Sequence, residues 1–94
     1  RLPSAERDLA VVVRDGIGAG AVEAVIRRAG GTYLRDVRCF DRYTGAPLAE
    51  GEVSLAFRLR FDPADQVLDD SAMEPVISAV VRSLGEELGA RLRA

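Results

Sequence analysis

The segment from Glu52 to Phe61 constrains the fold more than any other part of this sequence. Its residues alternate strictly between an apolar set and a set of small or charged residues: Val53, Leu55, Phe57, Leu59 and Phe61 against Ser54, Ala56, Arg58 and Arg60. A repeat of two residues places the two sets on opposite faces of a β-strand. Other elements must cover the apolar face, so we expect function on the opposite face, which carries hydroxyl and guanidinium groups.

Composition predicts one globular domain over residues 1–94. The chain is 48% hydrophobic and 30% charged, and these values exclude a disordered chain. No run approaches the roughly 18 apolar residues of a membrane helix, so we expect no membrane partner. The sequence begins with Arg1 rather than methionine, and we expect it to be a piece of a longer polypeptide.

The residue types present exclude most catalytic chemistry. Histidine is absent, which removes the commonest general base, the Ser/His and Cys/His nucleophiles and most zinc sites. The single cysteine, Cys39, has no partner for an internal disulfide and no base to activate it, so we expect an inert residue and a cytoplasmic location. Helix capping explains Asp69 and Asp70 better than metal binding does. We therefore predict no catalytic, metal or cofactor site within this domain.

Charge is distributed unevenly along the chain. The net charge of −2 argues against a generic nucleic-acid binder. However, residues 27–60 contain seven arginines and four acids, whereas residues 61–90 contain one arginine and seven acids. This polarity is compatible with one basic face on an acidic protein.

The rest of the sequence predicts three further strands and two helices. Strands are indicated by β-branched residues, helices by apolar residues at i, i+3, i+4 and i+7, and loops by glycine and proline. The predicted order is an irregular lead-in Arg1–Arg7, strand Asp8–Arg14, helix Ala19–Ala29, strand Thr32–Tyr43, loop Thr44–Gly51, strand Val53–Phe61, helix Asp70–Leu88 and edge strand Ala90–Arg93.

Two of these elements contain a predicted irregularity. Val37 and Phe40 are three residues apart, so both reach the core only if a β-bulge lies between them, and we predict one there. In the second helix, Pro75 lacks the N–H that residue 71 needs, so we expect a late start or a distorted first turn. Ser71 with Glu74 fits a capping box, although Asp69 is an alternative cap.

The order β-α-β-β-α-β predicts an α+β fold. Right-handed crossovers place both helices on the same side of the sheet. The expected architecture is a ferredoxin-like sandwich, with a four-stranded antiparallel sheet, two helices on one face and the other face open.

Three motifs in order resemble a known family. They are Arg7-Asp8-Leu9-Ala10-Val11-Val12-Val13, Phe40-Asp41-x-Tyr43-x-Gly45 and Gly51-x-x-Ser54-Leu55-Ala56-Phe57-Arg58-Leu59-x-Phe61. This set is similar to the ferredoxin-fold anticodon-binding domain at the C-terminus of bacterial phenylalanine–tRNA ligase beta subunits, over nearly the whole chain. The resemblance implies a ligase that uses ATP and magnesium outside this domain. It also implies a tRNA partner, bound through the anticodon stem-loop, and a catalytic alpha subunit.

The resemblance also implies which residues contact RNA bases, namely Ala10, Asp41, Tyr43 and Ser54. Residue chemistry is compatible with these roles, since a tyrosine ring stacks on bases and aspartate and serine bond to base edges. Arg58 and Arg60 follow Ser54 on the same face and are candidate phosphate contacts.

Each of these residues also has a structural alternative. Tyr43 is also compatible with an edge-strand aromatic packed by its neighbours, although the motif favours the stacking role. Asp41 is a candidate ion-pair partner of Arg58 or Arg42. Ala10 and Ser54 fit a crowded sheet as small residues, and Arg58 and Arg60 fit a solvated face.

Two functions follow from these observations. The first is an anticodon-binding module that is not catalytic by itself. The second is a diverged, free-standing protein-interaction domain that has lost RNA binding. The acidic second helix favours the second, as do Glu52 and Val53, which stand where the family commonly has lysine. An acylphosphatase-type enzyme is disfavoured because the chain lacks a suitably placed phosphate loop.

Overall fold

Six elements follow one another in the order β-α-β-β-α-β in the computed structural model, which describes residues 2–93. They are β1 (Ala5–Arg14), α1 (Ala19–Ala29), β2 (Leu34–Tyr43), β3 (Glu52–Phe61), α2 (Asp70–Leu88) and β4 (Arg91–Leu92). The strands form one sheet in the order β2-β3-β1-β4, and every neighbouring pair is antiparallel. The predicted ferredoxin-like α+β fold is therefore confirmed.

The alternation in β3 divides the sheet into two faces, as expected. The face that carries Val53, Leu55, Phe57, Leu59 and Phe61 packs against both helices, and we call it the helix face. Buried residues of α1 and α2, among them Ile26, Met73 and Leu84, join these five in one core cluster. The face that carries Ser54, Ala56, Arg58 and Arg60 lies on the other side of the sheet, and we call it the open face.

The first strand is longer than the sequence predicts. It begins at Ala5 rather than Asp8, since Ala5 pairs with Phe61 at the far end of β3. The predicted irregular lead-in is thus wrong for residues 5–7, and Arg1 lies outside the described residues. The long partner strand, which offers hydrogen bonds along its whole length, explains the extension.

The second helix begins at its predicted residue without a late start. The Asp69 carboxylate accepts a hydrogen bond from the Ala72 N–H at 2.9 Å, so Asp69 is the cap rather than Ser71. Pro75 lies inside the helix and leaves the Ser71 carbonyl without its usual donor. Because Ser71 is exposed, water can satisfy that carbonyl.

The helix ends at Gly89, whose positive φ of 65° turns the chain toward β4. The Ala90 N–H then donates to the Leu84 carbonyl at 3.2 Å, which closes the helix C-terminus. The final strand, Arg91–Leu92, is shorter than predicted but is an edge strand, as expected.

Candidate nucleic-acid interface

The structure brings together the four residues that the resemblance selects. On the open face, Tyr43 lies directly opposite Ser54, and Ser54 lies opposite Val12. In the next row, Ala56 lies between Asp41 and Ala10. Directly opposed side chains have Cβ atoms about 4.5–5.5 Å apart. Residues from β1, β2 and β3 therefore form one cluster at the β4 end of the open face.

A β-bulge in β2 produces this arrangement. Cys39 pairs with Phe57, but Asp41 pairs with Ala56, so Phe40 is the extra residue. Without this residue, Asp41 and Tyr43 would fall on the helix face. The bulge therefore places Asp41 in solvent and Tyr43 beside Ser54.

The sequence predicted a bulge between Val37 and Phe40 that brings Phe40 into the core. A bulge is present, but Phe40 is its extra residue, and the predicted core position of Phe40 is wrong. The register is regular from Val37 to Cys39 and shifts only after Cys39. Phe40 is 45% exposed, and the Arg58 guanidinium carbon lies 4.9 Å from its ring centroid. Since Arg58 belongs to the open face, Phe40 lies there as well.

Two contacts hold the Tyr43 ring. Its hydroxyl donates a hydrogen bond to the Ala46 carbonyl, and the Arg93 guanidinium carbon lies 4.7 Å from the ring centroid. The ring nevertheless remains 38% exposed. A base that stacks on the covered side must displace the guanidinium, and an exposed cation–π contact of this kind is worth about 0.5–1 kcal/mol.

Ser54 is 3% exposed, although it lies on the open face. Val12, its neighbour in the same row, is 2% exposed, whereas Ala10 is half-buried. The residues of β1 and β3 thus form the buried part of the cluster, and the exposed residues Tyr43 and Asp41 lie on its β2 side.

The arginines expected to contact phosphate are engaged in ion pairs. Arg58 donates two hydrogen bonds to Asp8, its partner on β1, at 2.9 and 3.0 Å. Arg60 contacts Asp62 at 2.6 Å. Exposed pairs of this kind contribute about 0–1 kcal/mol, so phosphate can still compete for these arginines.

The predicted ion-pair alternative for Asp41 is wrong. Arg58 bonds to Asp8, and Arg42 bonds to Asp15 at 3.0 Å. Within residues 2–93, the Asp41 carboxylate makes no ion pair, and it is exposed. It is therefore available to accept a hydrogen bond from a ligand.

Sequence reasoning missed further residues of the open face, among them Arg14, Arg38, Phe40, Arg91 and Arg93. Arg38 lies opposite Arg58, and Arg91 lies opposite Val12. The Arg93 N–H donates to the Ala10 carbonyl at 2.8 Å, which extends the alignment of β4 by one residue. The alternation of Arg91 and Arg93 was the available signal, but four residues are too few to establish a period.

Glu52 and Arg91 form a two-bonded ion pair beside the cluster. The two nitrogens of the guanidinium lie 2.6 and 3.0 Å from the carboxylate oxygens. The Arg91 hydrogen bonds, helped by a bond from the Ala49 N–H, lower the pKa of Glu52 from 4.5 to about 2. The negative charge of Glu52 is thus balanced by an arginine from β4.

This lowered pKa predicts a pH dependence of stability. Because the folded pKa lies below the ordinary value, the pair stabilises the fold above pH 4.5 and loses this effect as pH falls toward 2. We expect Glu52→Gln to have a lower Tm than the unmodified chain at pH 7. Near pH 2, the two proteins should have similar Tm values. By NMR, the Glu52 carboxyl should titrate near pH 2, and Arg91→Met should raise that midpoint. A midpoint near 4.5 in the unmodified chain would contradict the ion pair.

Within residues 2–93, no group of three or more histidine, cysteine, aspartate or glutamate side chains is arranged to hold a metal ion. Among these residues, no helix is long and apolar enough to cross a membrane. The open face carries aromatic, hydroxyl, carboxylate and guanidinium groups, which can stack, form hydrogen bonds and carry charge.

Comparison with known proteins identifies the family. A model of the ferredoxin-fold anticodon binding domain matches residues 1–93. The chain belongs to this family. The observed motifs on β1, β2 and β3 are thus those of an anticodon-binding domain.

Individual relatives of this domain are phenylalanine–tRNA ligase beta subunits. The chain is 47% identical to the subunit of Moorella thermoacetica over 99% of its own length and 12% of the relative. It is 47% identical to the subunit of Symbiobacterium thermophilum over 100% of its own length and 10% of the relative. It is 39% identical to the subunit of Synechococcus elongatus over 98% of its own length and 11% of the relative. The anticodon-binding domain therefore spans about a tenth of these curated relatives.

Proposed function

We propose that this chain is the anticodon-binding domain of a phenylalanine–tRNA ligase beta subunit and binds the anticodon stem-loop of its tRNA. In this proposal, Tyr43 stacks on a loop base, Asp41 and Ser54 bond to base edges, and Ala10 leaves room for the base. In this proposal, the domain binds RNA and supplies no catalytic group. ATP, magnesium and the catalytic alpha subunit act elsewhere in the assembled ligase.

The observation that carries this proposal is the cluster of Tyr43, Ser54, Asp41 and Ala10 on the sheet face that neither helix covers. An exposed ring beside polar groups and small residues matches the way proteins read unstacked RNA loops. A sheet face roofed by a helix would not admit a base, but both helices pack on the other side.

Charge on the open face supports RNA binding that weakens as the salt concentration rises. Within residues 2–93, Arg14, Arg38 and Arg93 are open-face arginines that make no ion pair. Three phosphate contacts to single-stranded RNA give a slope of about −2.1 for log K against log salt. Arg58 and Arg60 increase this slope only if RNA displaces Asp8 and Asp62.

The alternative, a protein-interaction domain without RNA binding, has weaker support. Its motivation was the acidic α2 together with Glu52. However, α2 packs on the helix face, away from the cluster, and Arg91 neutralises Glu52. Neither acidic feature therefore opposes RNA at the open face.

Titration with RNA hairpins tests the proposal. We expect the chain to bind a hairpin with the phenylalanine anticodon loop more tightly than one with the same stem and a scrambled loop. Fluorescence anisotropy at several salt concentrations measures both affinities and the slope. Equal affinity for the two hairpins would reject anticodon recognition. No binding at low salt, together with a stable complex with another protein, would favour the alternative.

A further inference from the structure

Phe40 is an exposed aromatic residue on the open face, and the cluster described above does not use it. We infer that Phe40, backed by Arg58, is a second base-stacking site that binds the loop nucleotide next to the one on Tyr43. This inference rests on the proposed function and adds a second nucleotide subsite to it.

The first argument is position. At the bulge, Phe40 and Asp41 both lie opposite Ala56, whereas Tyr43 lies opposite Ser54. Ala56 and Ser54 are two residues apart along β3, which corresponds to about 7 Å. This is about twice the 3.4 Å repeat of a stacked strand, so adjacent bases reach both rings only when they are unstacked from each other. Proteins bind single-stranded RNA loops in this splayed state.

The second argument is access. β2 is an edge strand, so no neighbouring strand lies beyond Phe40 on its outer side. Phe40 is 45% exposed as a residue, a larger fraction than the 38% of Tyr43. A nucleobase can therefore approach the outer side of the Phe40 ring without displacing a strand.

The third argument is rigidity. The Arg58 guanidinium lies 4.9 Å from the Phe40 ring centroid, and its two hydrogen bonds to Asp8 hold it in that position. A ring that is already packed on one side loses less conformational freedom when a base stacks on the other, and such preorganisation favours binding. Arg38, which lies opposite Arg58 and makes no ion pair within residues 2–93, supplies positive charge beside this site.

The test measures the coupling of each ring to individual loop nucleotides. Phe40→Ala, Phe40→Leu and Tyr43→Ala are titrated with the phenylalanine anticodon hairpin and with hairpins that carry one abasic loop position each. We expect Phe40→Ala to weaken binding of the intact hairpin by about 5- to 20-fold. One abasic hairpin lacks the base that stacks on Phe40, and with this hairpin we expect Phe40→Ala and the unmodified chain to bind equally well. The missing base in that hairpin should be adjacent to the base whose removal cancels the effect of Tyr43→Ala. Phe40→Leu should lose as much as Phe40→Ala, because leucine keeps apolar volume without a ring.

Three results would overturn this inference. They are a Phe40→Ala variant that binds like the unmodified chain, a loss that is equal for all abasic hairpins, and coupling of both rings to the same nucleotide. The first is also the result expected if Phe40 contacts a protein partner instead. In each case, Tyr43→Ala separates failure of this inference from failure of the proposed function. If Tyr43→Ala weakens binding, the proposed RNA recognition at the cluster stands even though Phe40 has no part in it. Circular dichroism with Val67→Ala as the folding control shows that each variant is folded.

Discussion

Replacing Phe57 with alanine should lower the free energy of unfolding by about 3–5 kcal/mol. Phe57 is fully buried at the middle of β3 and lies opposite Leu9 and Cys39 on the helix face. Removing its ring takes apolar surface out of the core and leaves a cavity between the sheet and the helices. Since domains of this size are stable by about 5–15 kcal/mol, the loss is a large part of the total.

Urea denaturation followed by circular dichroism measures this effect. The matched control is Val67→Ala, because Val67 is 57% exposed in the segment before α2. That control should change stability by no more than about 0.5 kcal/mol. A loss below about 1 kcal/mol for Phe57→Ala would contradict the position of this ring in the core.

Replacing Tyr43 with alanine should weaken binding of the phenylalanine anticodon hairpin by about 5- to 150-fold, or 1–3 kcal/mol. The variant loses the ring on which a base stacks, and the Arg93 guanidinium loses the ring on which it rests. Stability should change little, because Tyr43 lies on an edge strand and is partly exposed.

Tyr43→Phe separates stacking from the hydroxyl group. It retains the ring and removes only the hydrogen bond to the Ala46 carbonyl, so we expect affinity close to that of the unmodified chain. Anisotropy titration at two salt concentrations measures both variants. If Tyr43→Ala is folded and retains the original affinity and salt slope, Tyr43 is a packed edge residue and not a stacking platform.

The bounds of α1, β3 and α2 agree with the sequence predictions because their signals are local. The apolar spacing of Val22, Val25 and Ile26 marks one face of α1, and the alternation of β3 assigns its faces residue by residue. The order of elements and the handedness of crossovers then leave few topologies, of which the ferredoxin-like one is observed. The family motifs also lie on these elements.

The surroundings of the candidate site were not predictable in this way. The sequence does not show that β4 brings Arg91 to Glu52 and Arg93 to Tyr43, because these contacts join residues about 40 or more positions apart. Likewise, it does not show that Asp8 holds Arg58, since the partner of a charged strand residue depends on the register between β1 and β3.

By itself, the sequence determined which residues of β3 face the helices, which segments are helical and which motifs belong to the anticodon-binding family. Only the tertiary structure decided that the bulge falls after Cys39 and brings Phe40, Asp41 and Tyr43 to the open face. The physical reason is that periodicity is a property of one strand, whereas a bulge depends on the pairing of two. In β2, this pairing keeps the charge of Asp41 in solvent and leaves Phe40 exposed instead of buried.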